Sequence, residues 1–353
     1  MKLYDFIDLS EGKTLHKEIG IDLGSTLMLV STAEEGIIAR EPSLVAIGRD
    51  NRLYSIGREA EEDAADATKN LRLLRPLRNG IVADQDMTRN MIAYAIHLTC
   101  GSLIIKPRVL IGVPFDTTEE QETLLEWTSV HAGARETFVV YSPVAALAGL
   151  GISPENAVLL ADIGAGRTSI MLTGGGKILY KNTVAVGGDS FDTAIADYLL
   201  ARYRMKVNSR SAEAIKIRIG TVWINREDRR LDIKGKHADT GEQMTVRISS
   251  REMFDALEEP TACLVAAICE AIKNIPSAYV GEVFHRGILL CGGASTLDGL
   301  DKMISGVTGV NARVVDRPDE VVAIGLGKIL ADLPTSMKNA KINISQRCLR
   351  SEF

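Results

Sequence analysis

Two segments of this chain repeat one short pattern, in which an apolar run ends in an aspartate and a glycine-punctuated turn with a hydroxyl side chain follows. Residues 19–26 read IGIDLGST and residues 159–168 read LLADIGAGRT, so Asp22 and Asp162 lie 140 positions apart. Glycines let backbone N–H groups approach phosphate oxygens, and a carboxylate at a strand end can hold a water of a bound Mg²⁺. The repeat therefore predicts two equivalent half-molecules with a nucleotide held between two lobes.

The composition is that of a globular protein with enough residues for two domains. Of the 353 residues, 46% are hydrophobic and 25% are charged, which excludes the disordered and fibrous classes. The formal net charge of −5 argues against a general nucleic-acid binder, because such proteins carry a basic surplus. Nucleic acid is therefore not a predicted partner.

The cysteines and the absence of targeting segments predict a cytoplasmic protein. No signal-peptide pattern begins the sequence, and no stretch reaches the roughly 18–20 apolar residues of a membrane span. The five cysteines are an odd number without C-x-x-C spacing, which favours reduced, buried thiols over disulfides or zinc ligands. They are Cys100, Cys263, Cys269, Cys291 and Cys348.

Local patterns predict the same order of elements in both halves. A hairpin around Gly24, a buried strand over 109–113 and a capping box at Thr118–Gln121 are expected in the first half. The second half repeats the hairpin over 158–172, continues with a helix capped by Ser190, and ends in a buried strand over 288–291. Strands and helices joined by short connections predict a mixed sheet covered by helices in each half. Residues 37–74 and 205–250 look like two smaller insertions.

Ordered segments along nearly the whole of residues 18–332 resemble the actin and DnaK-type chaperone ATPase superfamily, and most closely its MreB group of bacterial actins. Besides the two aspartate turns, five segments carry the resemblance in the expected order: 41–47 (EPSLVAI), 75–84 (RPLRNGIVAD), 108–114 (RVLIGVP), 212–220 (AEAIKIRIG) and 286–294 (RGILLCGGA).

The resemblance implies an α/β, actin-like two-lobed fold, built from duplicated ribonuclease-H-like domains with two inserted subdomains. It implies ATP and Mg²⁺ as cofactors and head-to-tail homopolymers at the inner membrane face, with membrane-bound morphogenetic proteins as further partners. The expected boundaries are 1–36, 75–145 and 318–335 for the core of lobe I, 37–74 for its insertion, 146–190 and 251–317 for the core of lobe II, 191–250 for its insertion, and 336–353 for a disordered tail.

The same resemblance assigns the site residues. Asp22 and Asp162 are expected to hold Mg²⁺ through water, and Asp162 also lies near the attacking water. A plain structural turn is the alternative for each aspartate segment, and an i,i+3 salt bridge is the alternative for Glu213 and Lys216. The expected nucleotide-binding residues are Gly24, Ser25, Thr26, Gly164, Ala165, Gly166, Arg167, Thr168, Glu213, Lys216, Gly292, Gly293 and Ala294.

Two departures from the MreB pattern concern hydrolysis. MreB relatives usually carry a glutamate where this chain has Ser142, and a threonine where it has Arg167. A serine cannot replace a carboxylate that orients water, a contribution of roughly 10²–10⁴-fold in rate, so slow or lost hydrolysis is expected. Arg167 either pairs with the γ-phosphate or faces solvent or a neighbouring carboxylate.

Two segments are candidates for membrane contact. MreB relatives often expose apolar side chains in the loop that here contains Leu103, Ile104 and Ile105, and residues 3–9 have the spacing of an amphipathic helix. Simple packing onto the fold is the alternative for both.

Three functions stay open from the sequence. The first is a cytoskeletal ATP-binding protein that polymerises and organises cell shape, the cell wall or organelles. The second is a non-polymerising nucleotide-binding pseudo-actin scaffold, which Ser142 and Arg167 favour. The third is a chaperone ATPase or a sugar or acid kinase on the same fold. No peptide-binding domain is expected after residue 333, which disfavours the chaperone, and the lack of an evident base for a substrate hydroxyl disfavours the kinase.

Overall fold

The structure is a computed structural model that describes residues 18–66, 68–100, 106–224 and 227–332. The candidate membrane loop at 103–105, the N-terminal amphipathic segment and the tail at 336–353 lie outside the described residues.

The first half begins with an antiparallel hairpin whose strands are almost entirely buried. Its elements, in chain order, are β1 (Glu18–Leu23), β2 (Leu27–Thr32), β3 (Gly36–Pro42), β4 (Val45–Ile47), β5 (Leu53–Ile56), α1 (Arg58–Ala65), β6 (Arg72–Leu74), β7 (Leu77–Arg78), β8 (Ile81–Val82), α2 (Gln85–Cys100), β9 (Arg108–Val113), α3 (Glu119–Ala132), β10 (Glu136–Tyr141) and α4 (Ser142–Leu150).

The second half begins with the same kind of hairpin. Its elements are β11 (Val158–Ile163), β12 (Thr168–Gly174), β13 (Lys177–Val184), α5 (Gly188–Tyr203), β14 (Met205–Lys206), α6 (Ser209–Ile219), β15 (Arg230–His237), β16 (Gln243–Ser249), α7 (Ser250–Ala256), α8 (Glu258–Lys273), α9 (Val280–Arg286), β17 (Ile288–Cys291), α10 (Leu300–Thr308), β18 (Ala312–Val314) and α11 (Val321–Asp332).

Two five-stranded sheets have the same topology. Lobe I is built on the order β3-β2-β1-β9-β10 and lobe II on the order β13-β12-β11-β17-β18. In both sheets each neighbouring pair among the first three strands is antiparallel, and the last two strands run parallel to the central strand. Asp22 and Asp162 are each the fifth residue of the six-residue central strand. The predicted duplication and the actin-like two-lobed fold are confirmed.

Each predicted insertion contains a small three-stranded sheet. One has the order β5-β4-β6, with helix α1 beside it, and the other has the order β14-β15-β16. Strands β15 and β16 of the second sheet alternate between exposed residues and half-buried or buried ones, as expected of a sheet with one solvated face.

A hydrophobic core is shared between the two lobes. It joins Leu110 of β9, Leu160 of β11 and Leu289 of β17 through side chains of α4 and α11, including Leu147 and Leu326. Helix α4 leads from β10 into β11, and α11 returns from β18 to pack on β1, β2 and β9. The two helices that connect the lobes therefore also fill the space between them.

Helices α4 and α11 approach each other closely because glycines face their contact. A Cβ on Gly149 would collide with the carbonyl oxygen of Val321, and a Cβ on Gly325 would collide with the carbonyl oxygen of Ala145. Neither helix could hold this separation with a larger residue at these positions.

Two local predictions were wrong. Ser190 is not the N-cap residue of α5, which is Gly187: the helix begins at Gly188, and Ser190 contributes to the cap from inside the first turn, where its hydroxyl accepts a hydrogen bond from the backbone N–H of Gly187 at 3.2 Å. The expectation of buried thiols fails for Cys263, which lies on the exposed face of α8, while Cys100 and Cys291 are buried. The capping box that opens α3 at Thr118 is confirmed.

Within the described ranges, no single helix has both the length and the apolar composition needed to cross a membrane. One bent pair, Glu258–Lys273 with Ser277–Arg286, meets that test only when its two helices, 103° apart, are counted together.

Candidate functional site

A cleft of about 600 Å³ lies between the two lobes, where both aspartate turns meet. Of the predicted nucleotide, metal and catalytic residues, all of which lie in the described ranges, only Thr168 does not line this cleft. The residues that do are Asp22, Gly24, Ser25, Thr26, Ser142, Asp162, Gly164, Ala165, Gly166, Arg167, Glu213, Lys216, Gly292, Gly293 and Ala294. Segments more than 250 positions apart in the chain thus converge on one volume.

The first turn is a tight hairpin held by the loop that follows it in lobe I. The N–H of Gly24 donates to the carbonyl of Leu27 at 3.1 Å, and a Cβ on Gly24 would lie 2.7 Å from the same oxygen. The hydroxyl of Ser25 accepts from the N–H of Gly80 at 2.9 Å, and Arg75 donates to the hydroxyl of Thr26 at 3.3 Å. Both hydroxyls are therefore fixed at the wall of the cleft.

The second turn is held by the start of α5. The backbone N–H groups of Gly188 and Asp189 donate to the carbonyls of Gly164 and Ala165, at 3.0 and 2.7 Å. A Cβ on Gly187 would lie 2.5 Å from the Ala165 carbonyl oxygen, so this approach requires glycine. This support was not predicted from the sequence, where its signal is the Gly187-Gly188 pair at the start of the helix.

Thr168 occupies a different place from the one predicted. Its side chain is fully buried, and its hydroxyl donates to the carbonyl of Val186 at 2.8 Å. It therefore fastens the second turn to the strand end of β13, outside the lining of the cleft.

Asp22 and Asp162 are half-buried carboxylates at the wall of the cleft, one from each lobe. Burial, reinforced by the charge of Asp162, raises the pKa of Asp22 to about 7. Burial likewise raises the pKa of Asp162 to about 6, against a hydrogen bond from the Cys291 thiol that lowers it. Two like charges partly removed from water are costly unless a cation neutralises them, so the pair fits a divalent cation.

No third acidic or histidine side chain completes a metal site in the part of the chain that the structure describes. A Mg²⁺ ion prefers six oxygen ligands and keeps several waters. The remaining ligands would therefore have to be water and phosphate oxygens, which agrees with coordination of the metal through water rather than by a protein cage.

Lys216 connects two helices at the cleft instead of pairing along its own helix. Its ammonium lies 2.9 Å from Asp192 of α5 and donates to the carbonyl of Gly188 at 3.1 Å. Burial raises the pKa of Asp192 to about 6, and the charge of Lys216 opposes that rise. Among the described residues no ion pair joins Lys216 to Glu213, so the predicted i,i+3 alternative does not describe this pair.

The two glycines after β17 differ in what constrains them. Gly292 has φ of +81°, and a Cβ there would collide with the carbonyl of Ile163 and lie 2.7 Å from the Asp162 carboxylate. A Cβ on Gly293 would meet nothing within 4 Å. The requirement at Gly292 is therefore internal to the protein, whereas Gly293 borders open space in the cleft.

The two departures from the expected pattern both face the cleft. Ser142 is the first residue of α4, and its Oγ lies 2.9 Å from where a Cβ on Gly112 would stand. The guanidinium of Arg167 is 15% exposed, and its Nη1 contacts both carboxylate oxygens of Asp116 at 2.5 and 2.7 Å. Arg167 therefore pairs with a neighbouring carboxylate, which was one of the alternatives expected for it.

Comparison of the chain with known proteins accounts for this arrangement. A family profile described as MreB/Mbl protein matches residues 16–338. The chain belongs to the MreB/Mbl family. Among its MreB/Mbl relatives, the cell shape-determining protein Mbl of Bacillus cereus (strain ATCC 10987 / NRS 248) is 31% identical over 328 residues, which cover 92% of this chain and 98% of the relative. The cell shape-determining protein MreB of Escherichia coli (strain K12) is 31% identical, over 89% of this chain and 93% of the relative.

Solved structures agree with the MreB/Mbl assignment. MreB5 of Spiroplasma citri bound to ADP superimposes with a TM-score of 0.81 at 25% identity, covering 87% of this chain and 94% of that one. The same protein bound to AMPPNP also has a TM-score of 0.81 at 25% identity, over 89% and 95% of the two chains. The MamK double helical filament has a TM-score of 0.77 at 21% identity, over 90% and 99%, and shares the fold.

Proposed function

We propose that this MreB/Mbl-family protein is an actin-like cytoskeletal protein that binds ATP with Mg²⁺ between its lobes and assembles into head-to-tail filaments. The observation that carries the proposal is the pair of duplicated aspartate turns, which face each other across one cleft. The relative MreB5 binds ADP and AMPPNP, and the MamK neighbour forms a double helical filament. The four-part division into two cores and two insertions, with the boundaries predicted from the sequence, belongs to the same proposal.

The proposed roles follow from the contacts around the cleft. The backbone of Gly24, Gly164, Ala165 and Gly166 and the hydroxyls of the first turn would grip phosphate oxygens. Asp22 and Asp162 would hold the water shell of Mg²⁺, which neutralises phosphate charge when bound. Glu213, Lys216, Gly293 and Ala294 also line the cleft and would contact the nucleoside. Thr168 would act indirectly, by holding the second turn.

Hydrolysis is proposed to be slow. The cleft has a serine hydroxyl at position 142, where a water-orienting carboxylate would stand, and Arg167 is paired with Asp116. Without a general base near the attacking water, the rate falls by roughly 10²–10⁴-fold. The filament would therefore remain ATP-bound for longer than in relatives with the glutamate.

The proposed location is the cytoplasm, at the inner face of the membrane, with membrane-bound morphogenetic proteins as partners in organising cell shape, the cell wall or organelles. The cell shape-determining relatives support this role. Leu103, Ile104 and Ile105 stay the candidate membrane contact.

A sedimentation assay with phosphate release measured in the same tube tests the proposal. With Mg²⁺-ATP the protein should pellet and show filaments by electron microscopy, while phosphate release stays slow. Asp162→Ala should pellet less, because one half of the cation site is lost, and Asp232→Ala, on an exposed strand of the lobe II insertion, is the matched control.

A pseudo-actin scaffold is the second candidate, and Ser142 and the Arg167–Asp116 pair favour it. It predicts nucleotide binding without a pellet at any protein concentration. Absence of nucleotide binding would contradict both candidates, and transfer of phosphate to a small-molecule hydroxyl would favour a phosphotransferase.

A further inference from the structure

Among the described residues, two ion pairs join the lobes at the cleft: Arg75 with Asp189 at 3.6 Å, and the shorter pair of Arg167 with Asp116. Asp116 lies in lobe I, in the loop between β9 and α3, and Arg167 lies in lobe II, in the turn between β11 and β12. Nη1 of Arg167 contacts both carboxylate oxygens of Asp116, at 2.5 and 2.7 Å. Because one partner belongs to each lobe, the lobes cannot separate at this point without breaking the pair.

A further contact between the lobes adjoins the Arg167–Asp116 pair in sequence. The ammonium of Lys181, on β13 of lobe II, lies 5.6 Å from the ring centre of Phe115 and 5.0 Å from that of Tyr141, both in lobe I. These two rings pack against each other with centres 4.9 Å apart. Cations over aromatic faces at such distances are attracted to them. Two cations of lobe II thus hold consecutive residues, Phe115 and Asp116, of lobe I.

Burial makes the ion pair stronger than an ordinary surface pair. The side chain of Arg167 is 15% exposed and that of Asp116 is 50% exposed. A cation that is mostly removed from water depends on its partner more than a solvated one does, and separating the pair would leave it uncompensated. By contrast, Arg204 and Asp239 are both 58% exposed and lie within lobe II, where such pairs contribute little.

We propose that the Asp116–Arg167 pair, with Lys181 on the adjacent rings, ties the two lobes together across the cleft and sets the rate at which a bound nucleotide leaves. Asp116 is then a positioning residue, since it does not line the cleft and acts through Arg167. The proposal rests on the nucleotide binding proposed above. Under this proposal Arg167 helps to retain the nucleotide. It does so in a chain that has Ser142 where the hydrolytic glutamate is expected.

The test is the release rate of a fluorescent nucleotide. Full-length protein is loaded with N-methylanthraniloyl-ATP and Mg²⁺, then mixed with excess unlabelled ATP, and the decay of fluorescence is followed. Asp116→Ala should release the nucleotide about fivefold faster, a size expected for loss of a partly buried pair. Asp116→Glu keeps the carboxylate and should restore slow release, whereas Asp239→Ala, which removes the exposed pair within lobe II, should leave the rate unchanged.

A second readout needs no nucleotide. Amide hydrogen exchange in residues 114–118 and 164–168 should be faster in Asp116→Ala than in the unmodified protein, and unchanged in Asp239→Ala.

The outcomes separate the two proposals. Unchanged release together with unchanged exchange in Asp116→Ala would overturn the tie while leaving nucleotide binding intact. Slower release would overturn it as well, because it would mean that Asp116 withholds Arg167 from the phosphates. Failure of the unmodified protein to bind the fluorescent nucleotide would overturn the proposed function, and the exchange measurement would still decide whether the lobes are tied.

Discussion

At the scale of single residues, position 142 is where the proposed slow hydrolysis can be tested. Ser142 begins α4 at the lining of the cleft, where the positive end of the helix dipole favours an acidic side chain. Ser142→Glu should therefore be accepted by the fold and should raise phosphate release about tenfold or more, because it supplies a water-orienting base. Steady-state phosphate release at saturating Mg²⁺-ATP measures the effect.

The matched control at this position is Ser142→Gln, which adds a side chain of the same size without a basic carboxylate. It should leave phosphate release near that of the unmodified protein. Equal rates for the Glu and Gln variants would mean that the missing carboxylate does not limit hydrolysis.

The sequence predicted which residues meet at the cleft where a motif carries its own chemistry. The two aspartates and the glycines beside them line the cleft as expected, because each pattern marks the end of a central strand; their roles in binding metal and nucleotide stay predictions. Thr168 was misjudged because a hydroxyl serves equally well as a ligand contact or as a donor to a carbonyl, and only the fold selects Val186. Asp116 was missed because nothing in its local sequence indicates that Arg167 will lie beside it.

At the scale of elements, the contact between α4 and α11 depends on glycine. Gly325→Ala should destabilise the protein by about 2–3 kcal/mol, because its Cβ would collide with the carbonyl oxygen of Ala145 and force the helices apart. Chemical denaturation followed by circular dichroism measures the loss.

Gly281→Ala is the helical control for this prediction. It lies in α9, where an added Cβ would meet nothing within 4 Å, and it should be neutral or stabilise by about 0.5–1 kcal/mol. If both substitutions cost the same, the close helix contact is not what requires glycine at position 325.

Elements were more predictable than their ends. The strands around both aspartates follow from uninterrupted apolar runs, and the capping box at Thr118 has a specific local signature. The start of α5 was placed three residues late, because Ser190 is a favoured capping residue in isolation. The backbone N–H groups of Gly188 and Asp189 donate to the second turn, which lies more than 20 residues earlier, so tertiary contact overrides that local preference.

At the scale of the whole molecule, closing two lobes on one cleft brings two carboxylates together. The pKa of Asp22 is raised from 3.8 to about 7 and that of Asp162 to about 6. The folded state therefore binds protons more tightly than the unfolded state at these groups, so their contribution to stability is greatest below about pH 4 and is lost as the pH rises through 6 and 7. This dependence holds without Mg²⁺ and nucleotide.

Asp22→Asn removes one carboxylate of the pair and should therefore prevent much of the loss of folding stability at high pH. Without Mg²⁺ and nucleotide, its melting temperature should exceed that of the unmodified protein at pH 8 by roughly 2 °C or more, and the difference should shrink at pH 5. Thermal unfolding at both pH values, with Asp232→Asn as an exposed control, measures it. A difference independent of pH would contradict the raised pKa values.

The path of the chain between the sheets has a mechanical consequence. The described chain passes from lobe I to lobe II through α4 and returns through α11, and these two helices lie against each other in the core that the lobes share. Because both crossings run side by side, a hinge rotation of the lobes about that contact would change the width of the cleft while leaving the two helices packed together.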